Sequence, residues 1–374
     1  MKIITDISSY LVGLLFIFSG LVKAVDPIGF SYKLGEYFEE FGFHWDWVMD
    51  SALPLAIFLV ILEIVLGVAV MVGYRMKLMS WALLLLIVFF TGLTFASAQF
   101  DIVRSCGCFG DAIPLTAWES FYKDLILLVF TLIIFFRRNH IEEGEVTGTH
   151  YIMAVLGLAF LGWLSFSKLE WNFTFIFPLL VLLVYFGMKF LGTRNAPFMI
   201  TFLSLITAAV FTLYNNRYLP VKDFRAYAVG KSIPEQMEGI PDKLEYTYIL
   251  KDKATGEEEK FQKFPENWKE SYEYVDAVSE VVEKGVPAKI QDFMVSNPDG
   301  EDITDELLSG EEYRFLSIAY NLDKTCEDCQ EELNEFAEKA MKAGHMFKAV
   351  TASSTTQVNE FKEKNNNPYE YYYA

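Results

Sequence analysis

Four cysteines stand in two close pairs in this sequence, Cys106-Gly107-Cys108 and Cys326-Glu327-Asp328-Cys329, and none is left over. A Cys-x-x-Cys pair at the start of a helix has a physical logic. The positive helix end favours a thiolate at the first cysteine, and the second resolves the mixed disulfide. In that reading Cys326 attacks and Cys329 resolves. Glu327 and Asp328 oppose it, because nearby anions disfavour a thiolate, and the alternative is an inert structural disulfide. Cys106 and Cys108 can bridge each other only with strain, which makes such a disulfide relatively oxidising and able to exchange with a partner thiol. The alternative there is a plain loop disulfide or two reduced thiols. A third chemical group is Glu63, a carboxyl inside a long apolar run. It is a candidate for a proton relay or for holding a quinone head; the alternative is a protonated carboxyl hydrogen-bonded to a neighbouring helix. Lys23, near the outer end of the first apolar run, is expected to snorkel toward the headgroups. Arg104, Asp111 and Lys123 surround the Cys-x-Cys loop in the chain. A metal site shared by the two cysteine pairs is a weaker alternative; the four histidines, His44, His140, His150 and His345, cluster nowhere and lend it no support.

The elements that must carry these groups are unusually apolar. Hydrophobic residues make up 53% of the 374, and charged ones only 21%, which points away from an ordinary soluble protein. Seven segments approach the roughly 20 apolar residues a bilayer core requires: Ile7–Val25, Leu53–Val72, Leu78–Ala98, Ala117–Phe136, Tyr151–Phe166, Phe173–Met188 and Pro197–Leu213. Asp26-Pro27 follows the first, not a small-x-small cleavage site, so it reads as a retained span. Glu63 then lies about ten residues, or roughly 15 Å, into the second span. Arg75, Lys77, Arg137, Arg138, Lys189 and Arg194 fall on one side with Lys2. The long loop after the first span carries Tyr32, Tyr37, Phe38, Trp45 and Trp47, an aromatic set suited to headgroups. The opposite loops carry Lys23, Lys33, Arg104 and Lys168 at lower density, so the basic bias puts the N-terminus in the cytoplasm. Seven spans put the C-terminal part outside, on the face of the Cys106/Cys108 loop, where disulfides are permitted.

From Pro220 onward the chain carries 33 Asp and Glu against 18 Lys and Arg, nearly all of the formal net charge of −18. That argues against nucleic acid as a partner. Glu245–Leu250 and Lys260–Phe264, around Ala254-Thr255-Gly256, predict a hairpin. Beyond it, Gln291–Ser296 reads as a strand, Pro298-Asp299-Gly300 as a turn, and Tyr313–Tyr320 as a β-rich run leading to Cys326. Helical periodicity over Glu331–Ala343, a strand at Met346–Thr351, a helix at Thr355–Lys364 and a strand from Tyr369 complete the pattern. Strand, Cys-x-x-Cys, helix, strand, helix, strand is the order of a thioredoxin-type core.

About Lys289 to Ala374 resembles the thioredoxin-like domains of membrane-tethered bacterial thiol–disulfide proteins. It departs at Thr325, where tryptophan is usual. The chain also stops at Ala374, before the cis-proline strand and last hairpin of such a fold. "GLLFIFSGLVKAVDPIGFSYKLGEYF" from Gly13, Glu63 in "LEIVLGVAV" and "SCGCFGDAIPLTAW" together resemble the DoxX/MauE superfamily of small four-helix membrane proteins. The whole chain, including "YLPVKDFRAYAVGKSIPEQM" from Tyr218, is similar to DoxX-family proteins of Bacteroidetes-type bacteria. The resemblance implies thiol redox chemistry, quinone reduction or disulfide formation; MauE-like members are implicated in maturing a disulfide-rich dehydrogenase. The expected fold is an α-helical membrane bundle followed by an α/β thioredoxin-like soluble domain. Its expected parts are a four-helix DoxX/MauE-like domain (1–138), three additional transmembrane helices (139–217), an extracytoplasmic β-rich linker (218–288) and an incomplete thioredoxin-like domain (289–374). The expected function is a multi-pass inner-membrane thiol–disulfide redox protein. Electrons would pass between periplasmic Cys326/Cys329 and Cys106/Cys108, with a quinone as cofactor and a periplasmic protein thiol as partner. The alternative is a non-enzymatic membrane component whose degenerate thioredoxin-like domain binds a protein.

Overall fold

The computed structural model describes residues 2–100, 109–239, 243–266, 268–283, 288–291, 293–310, 313–326 and 328–374. The chain forms two compact units, Met1–Arg225 and Ala226–Ala374.

In the first unit α1 (Lys2–Val25) is followed by α2 (Pro27–Glu40) and α3 (Asp46–Asp50). Then come α4 (Ala52–Met71), α5 (Met76–Phe100), α6 (Ala117–Arg137), α7 (Gly148–Leu164), α8 (Phe173–Phe190) and α9 (Ala196–Arg217). Every apolar run is thus a helix, as lipid requires of a backbone that cannot hydrogen-bond to solvent. Six of the described helical segments are long and apolar enough to cross a membrane, and they make a membrane helical bundle. α6 is not among the six: it has 21 residues but carries Glu119, Lys123 and Asp124 near its start. A capping box fixes that start, with the Glu119 amide donating to Thr116 Oγ1 and the Thr116 amide donating to Glu119 Oε2. α1 is the core of the bundle, buried almost all round from Tyr10 to Val25. α5, α7 and α8 bury one stripe and leave Leu85, Val88, Val155, Leu156 and Leu183 exposed, as a lipid-facing surface demands.

Because lipid tails are as apolar as leucine, packing rather than hydrophobicity holds such helices together. α1 and α4 meet through glycine. A Cβ built on Gly13 would lie 2.7 Å from the Gly67 carbonyl oxygen, and one on Gly67 would lie 2.6 Å from that of Gly13.

The stretch between the first two spans is more than a loop. The Gly29 amide donates to the Asp26 carboxylate at 2.8 Å, and Pro27 sits in the first turn, where its missing N–H costs nothing; together they start α2. This helix buries Phe30, Leu34 and Tyr37. Tyr37 therefore leaves the aromatic set expected at the headgroups, whereas Tyr32, Trp45 and Trp47 remain exposed.

The second unit opens with α10 (Ile233–Met237). The expected hairpin is present as β1 (Lys243–Asp252) and β2 (Glu258–Phe261), antiparallel. After α11 (Trp268–Ser271), an unanticipated strand, β3 (Tyr272–Glu283), pairs with the other edge of β1. Its many acidic residues hide the β signal. Next come α12 (Thr304–Leu308), β4 (Arg314–Ile318), α13 (Gln330–Lys342), β5 (Met346–Thr351), α14 (Thr355–Asn365) and β6 (Glu370–Tyr373). β4, β5 and β6 form a parallel sheet in that order. Alternation splits its side chains: Phe347, Ala349 and Tyr371 pack with Ala337 and Val358 of the two long helices. Val350 and Tyr372 pack with Val295 and Leu307 on the other face. This small sheet with helices is compatible with an α/β domain. The strand expected over Gln291–Ser296 is reduced to bridges at Ser296. The Val295 amide donates to the Thr304 hydroxyl at 2.8 Å, which takes its backbone out of a ladder.

Candidate functional site

The bundle encloses a cavity of about 340 Å³, bordered by α1, α4, α5, α6, α7 and the Phe109–Leu115 segment. Its walls are mainly aromatic and aliphatic, among them Phe16, Phe18, Phe90 and Phe109. Two ion pairs break this apolar lining.

The first joins α1 to α4. Lys23 Nζ lies 2.8 Å from Glu63 Oε2 and 3.1 Å from Oε1. It also donates to Ser19 Oγ at 3.1 Å, one helical turn back on the same face. The Phe90 and Phe30 rings approach the ammonium with centroids 4.9 and 5.4 Å away. The two charged side chains are 4% and 6% exposed. This corrects the snorkelling expected of Lys23: its head turns inward because Glu63, Ser19 and two ring faces supply the partners that water would. The partner of Glu63 on a neighbouring helix, weighed above, is Lys23 of α1. Removing one partner of a buried pair strands the other charge, and that is the costly change.

The second pair lies within α6 and reaches α5. Lys123 Nζ is 2.7 Å from Asp124 Oδ1, and Thr94 Oγ1 is 3.3 Å from Asp124 Oδ2. The Lys123 ammonium stands 5.0 Å from the centroid of Phe109, and Asp124 is buried. Sequence reasoning named Lys123 but missed Asp124, Thr94 and Ser19. The rule that drew attention to Glu63, an ionisable residue in an apolar helix, applies equally to Asp124.

Cys106, Cys108 and Arg104 lie outside the described residues. Phe109, the residue after Cys108, lines the cavity. Asp111, two positions further on, borders a smaller pocket with Asp26, Lys33 and Arg225. Burial raises the Asp111 carboxyl above its ordinary range; nearby Asp26 adds to this, against Lys33 and Arg225. Arg225 binds Asp223 through two bonds, of 2.9 and 2.6 Å, and its Nε stands 3.9 Å from Asp26. The "KDFR" of the stretch from Tyr218 therefore packs onto the end of the membrane bundle. Sequence reasoning assigned it no site role.

In the second unit Cys326 and Cys329 form a disulfide with Cα atoms 5.3 Å apart. Both cysteines are exposed. Cys329 is the N-cap of α13 and its carbonyl accepts from the Leu333 amide at 3.0 Å. Buried Gln330 donates from Nε2 to the Cys326 carbonyl at 3.2 Å, which ties the turn to the helix. Glu331 and Glu332 occupy the first helical turn. The positive helix end thus faces the disulfide, with carboxylates around it.

No curated protein and no solved structure matches the chain. Residues 1–137 match the family model described as Methylamine utilisation protein MauE, and both ion pairs and the positions of Cys106 and Cys108 fall within the matched residues.

Proposed function

We propose that this chain is a bacterial inner-membrane thiol–disulfide redox protein in which Cys326/Cys329 and Cys106/Cys108 exchange electrons and a quinone in the bundle cavity is the far partner. The carrying observation is the cavity itself: apolar walls, one buried and one partly exposed ion pair, and Phe109 next to Cys108 at its border. Its volume lies in the range of small-molecule sites, and its few polar groups converge as such sites require. α6 serves as the seventh span, with its charges turned to the cavity. The N-terminus is then cytoplasmic, and the C-terminal unit shares the periplasmic face with the Cys106/Cys108 loop. The unit is read as a thioredoxin-like domain from its strand and helix order and from the Cys-x-x-Cys pair before α13.

In the oxidising direction the Cys326 thiolate attacks a sulfur of the Cys106–Cys108 disulfide. One S–S bond forms as the other breaks. Cys329 then attacks Cys326 and releases the second thiol, leaving Cys326/Cys329 oxidised and Cys106/Cys108 reduced. The Cys106/Cys108 dithiol would return to the disulfide by giving two electrons and two protons to a quinone, the two-electron acceptor such a group would supply if held in the cavity. Glu63 and Ser19 hold the Lys23 ammonium at the cavity wall, where its positive charge would favour a carbonyl oxygen of the ring. The reducing direction runs the same steps backward.

A Cys329→Ser variant tests the exchange. It is expected to trap a mixed disulfide between Cys326 and Cys106 or Cys108, identified by mass spectrometry and lost on reduction. A Cys326 that stays reduced without any adduct under oxidising conditions would favour the protein-binding module instead.

A further inference from the structure

A second cavity, of about 190 Å³, opens between α1 and α7. Apart from Tyr10 its walls are apolar, and they include Ile7, Leu11, Leu14, Leu156 and Gly157. It shares Leu15 and Phe160 with the larger cavity. Phe160 and Leu156 are exposed on the lipid-facing side of α7. A Cβ at Gly157 would collide with Leu14 Cδ1, so glycine there lets the Leu14 side chain seat against α7 at the groove wall.

We propose that this groove is the access path and tail channel of an isoprenoid quinone whose ring lies beside Lys23 and Glu63; the proposal rests on the reading of the cavity as a quinone site. Three observations support it. Ile7 to Lys23 along α1 spans roughly 24 Å at 1.5 Å per residue, a length that a ring with a linear tail uses and a compact ring leaves empty. Polarity is graded along that length: both ion pairs lie at one end and the groove side chains at the other are almost wholly apolar. Each lysine is paired with a carboxylate and Glu119 adds a further negative charge, so a phosphate headgroup is disfavoured and a neutral carbonyl ring is accepted.

The test uses the full chain in lipid nanodiscs with two probes, menadione (a naphthoquinone ring without a tail) and a menaquinone bearing an isoprenoid tail. Wild type is expected to bind both, the tailed form more tightly. Gly157→Phe fills the groove, and Leu156→Trp narrows its exposed mouth without touching the core. Each is expected to weaken the tailed probe at least about tenfold, the equivalent of displacing two buried methylene groups, and to leave menadione within about twofold. Equal affinity of wild type for both probes would mean that an ordinary lipid acyl chain fills the groove, and would overturn the channel while sparing the ring site. So would two variants that leave the tailed probe unaffected. Binding of neither probe by wild type would overturn the quinone reading itself.

Discussion

Lys23 and Glu63 are the residues whose roles change most between sequence and structure. Each was legible as an ionisable group in an apolar helix. Their partnership was not, because the sequence separation of 40 says nothing of which helix faces meet. Ser19 was invisible for the same reason: a serine in a span stands out only once the lysine one turn later points back at it. Since the pair is buried, Glu63→Ala and Lys23→Ala should each destabilise the folded protein by about 3–5 kcal/mol, by leaving one charge unpaired. The double replacement Lys23→Met with Glu63→Gln should recover most of that stability while cysteine redox cycling stays lost. Thermal unfolding in detergent measures the first effect, and the free-thiol content of Cys106/Cys108 the second. A double variant that cycles normally would reduce the pair to a packing device.

At the scale of elements, the apolar runs and the β-α-β-α-β order of residues 314–373 were legible because burial imposes periods that composition shows directly. α2 and β3 were not: the first hides in a polar, aromatic stretch, and the second in a run of acids. Helix contacts also escape sequence reading, and the Gly13–Gly67 approach is the clearest case. Gly13→Ala should force α1 and α4 apart and cost about 1–3 kcal/mol through overpacking. Gly92→Ala in α5, where a Cβ meets nothing within 4 Å, should be neutral; yields of folded protein in membranes compare the two. A second prediction concerns the small parallel sheet. Asn367 donates to Tyr369 and to Asn334, and accepts from Tyr371 at 3.0 Å. Burial raises both tyrosine hydroxyls above their ordinary range, and for Tyr371 the neighbouring Tyr369 adds to it. With the folded value above the unfolded value of about 10, their contribution is complete below that pH and is lost as pH rises beyond it. Circular dichroism should therefore show loss of this sheet at strongly alkaline pH, and a smaller alkaline loss in Tyr371→Phe. An unchanged alkaline loss in that variant would contradict the assignment.

At the scale of the molecule, the membrane character and the boundary with an acidic C-terminal part were legible from hydropathy and charge alone. The relation between the two cysteine pairs was not, since no local pattern records whether distant thiols exchange. The fourth apolar run shows how one feature can be read two ways. Lys123 and Asp124 weaken α6 as a span by composition, yet both charges line the cavity beside Phe109. They are what would be expected of a helix spanning a membrane beside a polar site. In the proposed redox circuit the electrons of all four cysteines pass to one acceptor. The most direct test starts from fully reduced protein in nanodiscs under anaerobic conditions, adds an isoprenoid quinone, and counts free thiols by mass spectrometry together with quinol formed. The circuit requires all four thiols to disappear, with one quinol for each disulfide, and requires loss of the Cys326/Cys329 thiols to stop when Cys106 and Cys108 are replaced by serine. Thiols that persist beside unreduced quinone, or a Cys326/Cys329 pair oxidised equally well without Cys106 and Cys108, would contradict it.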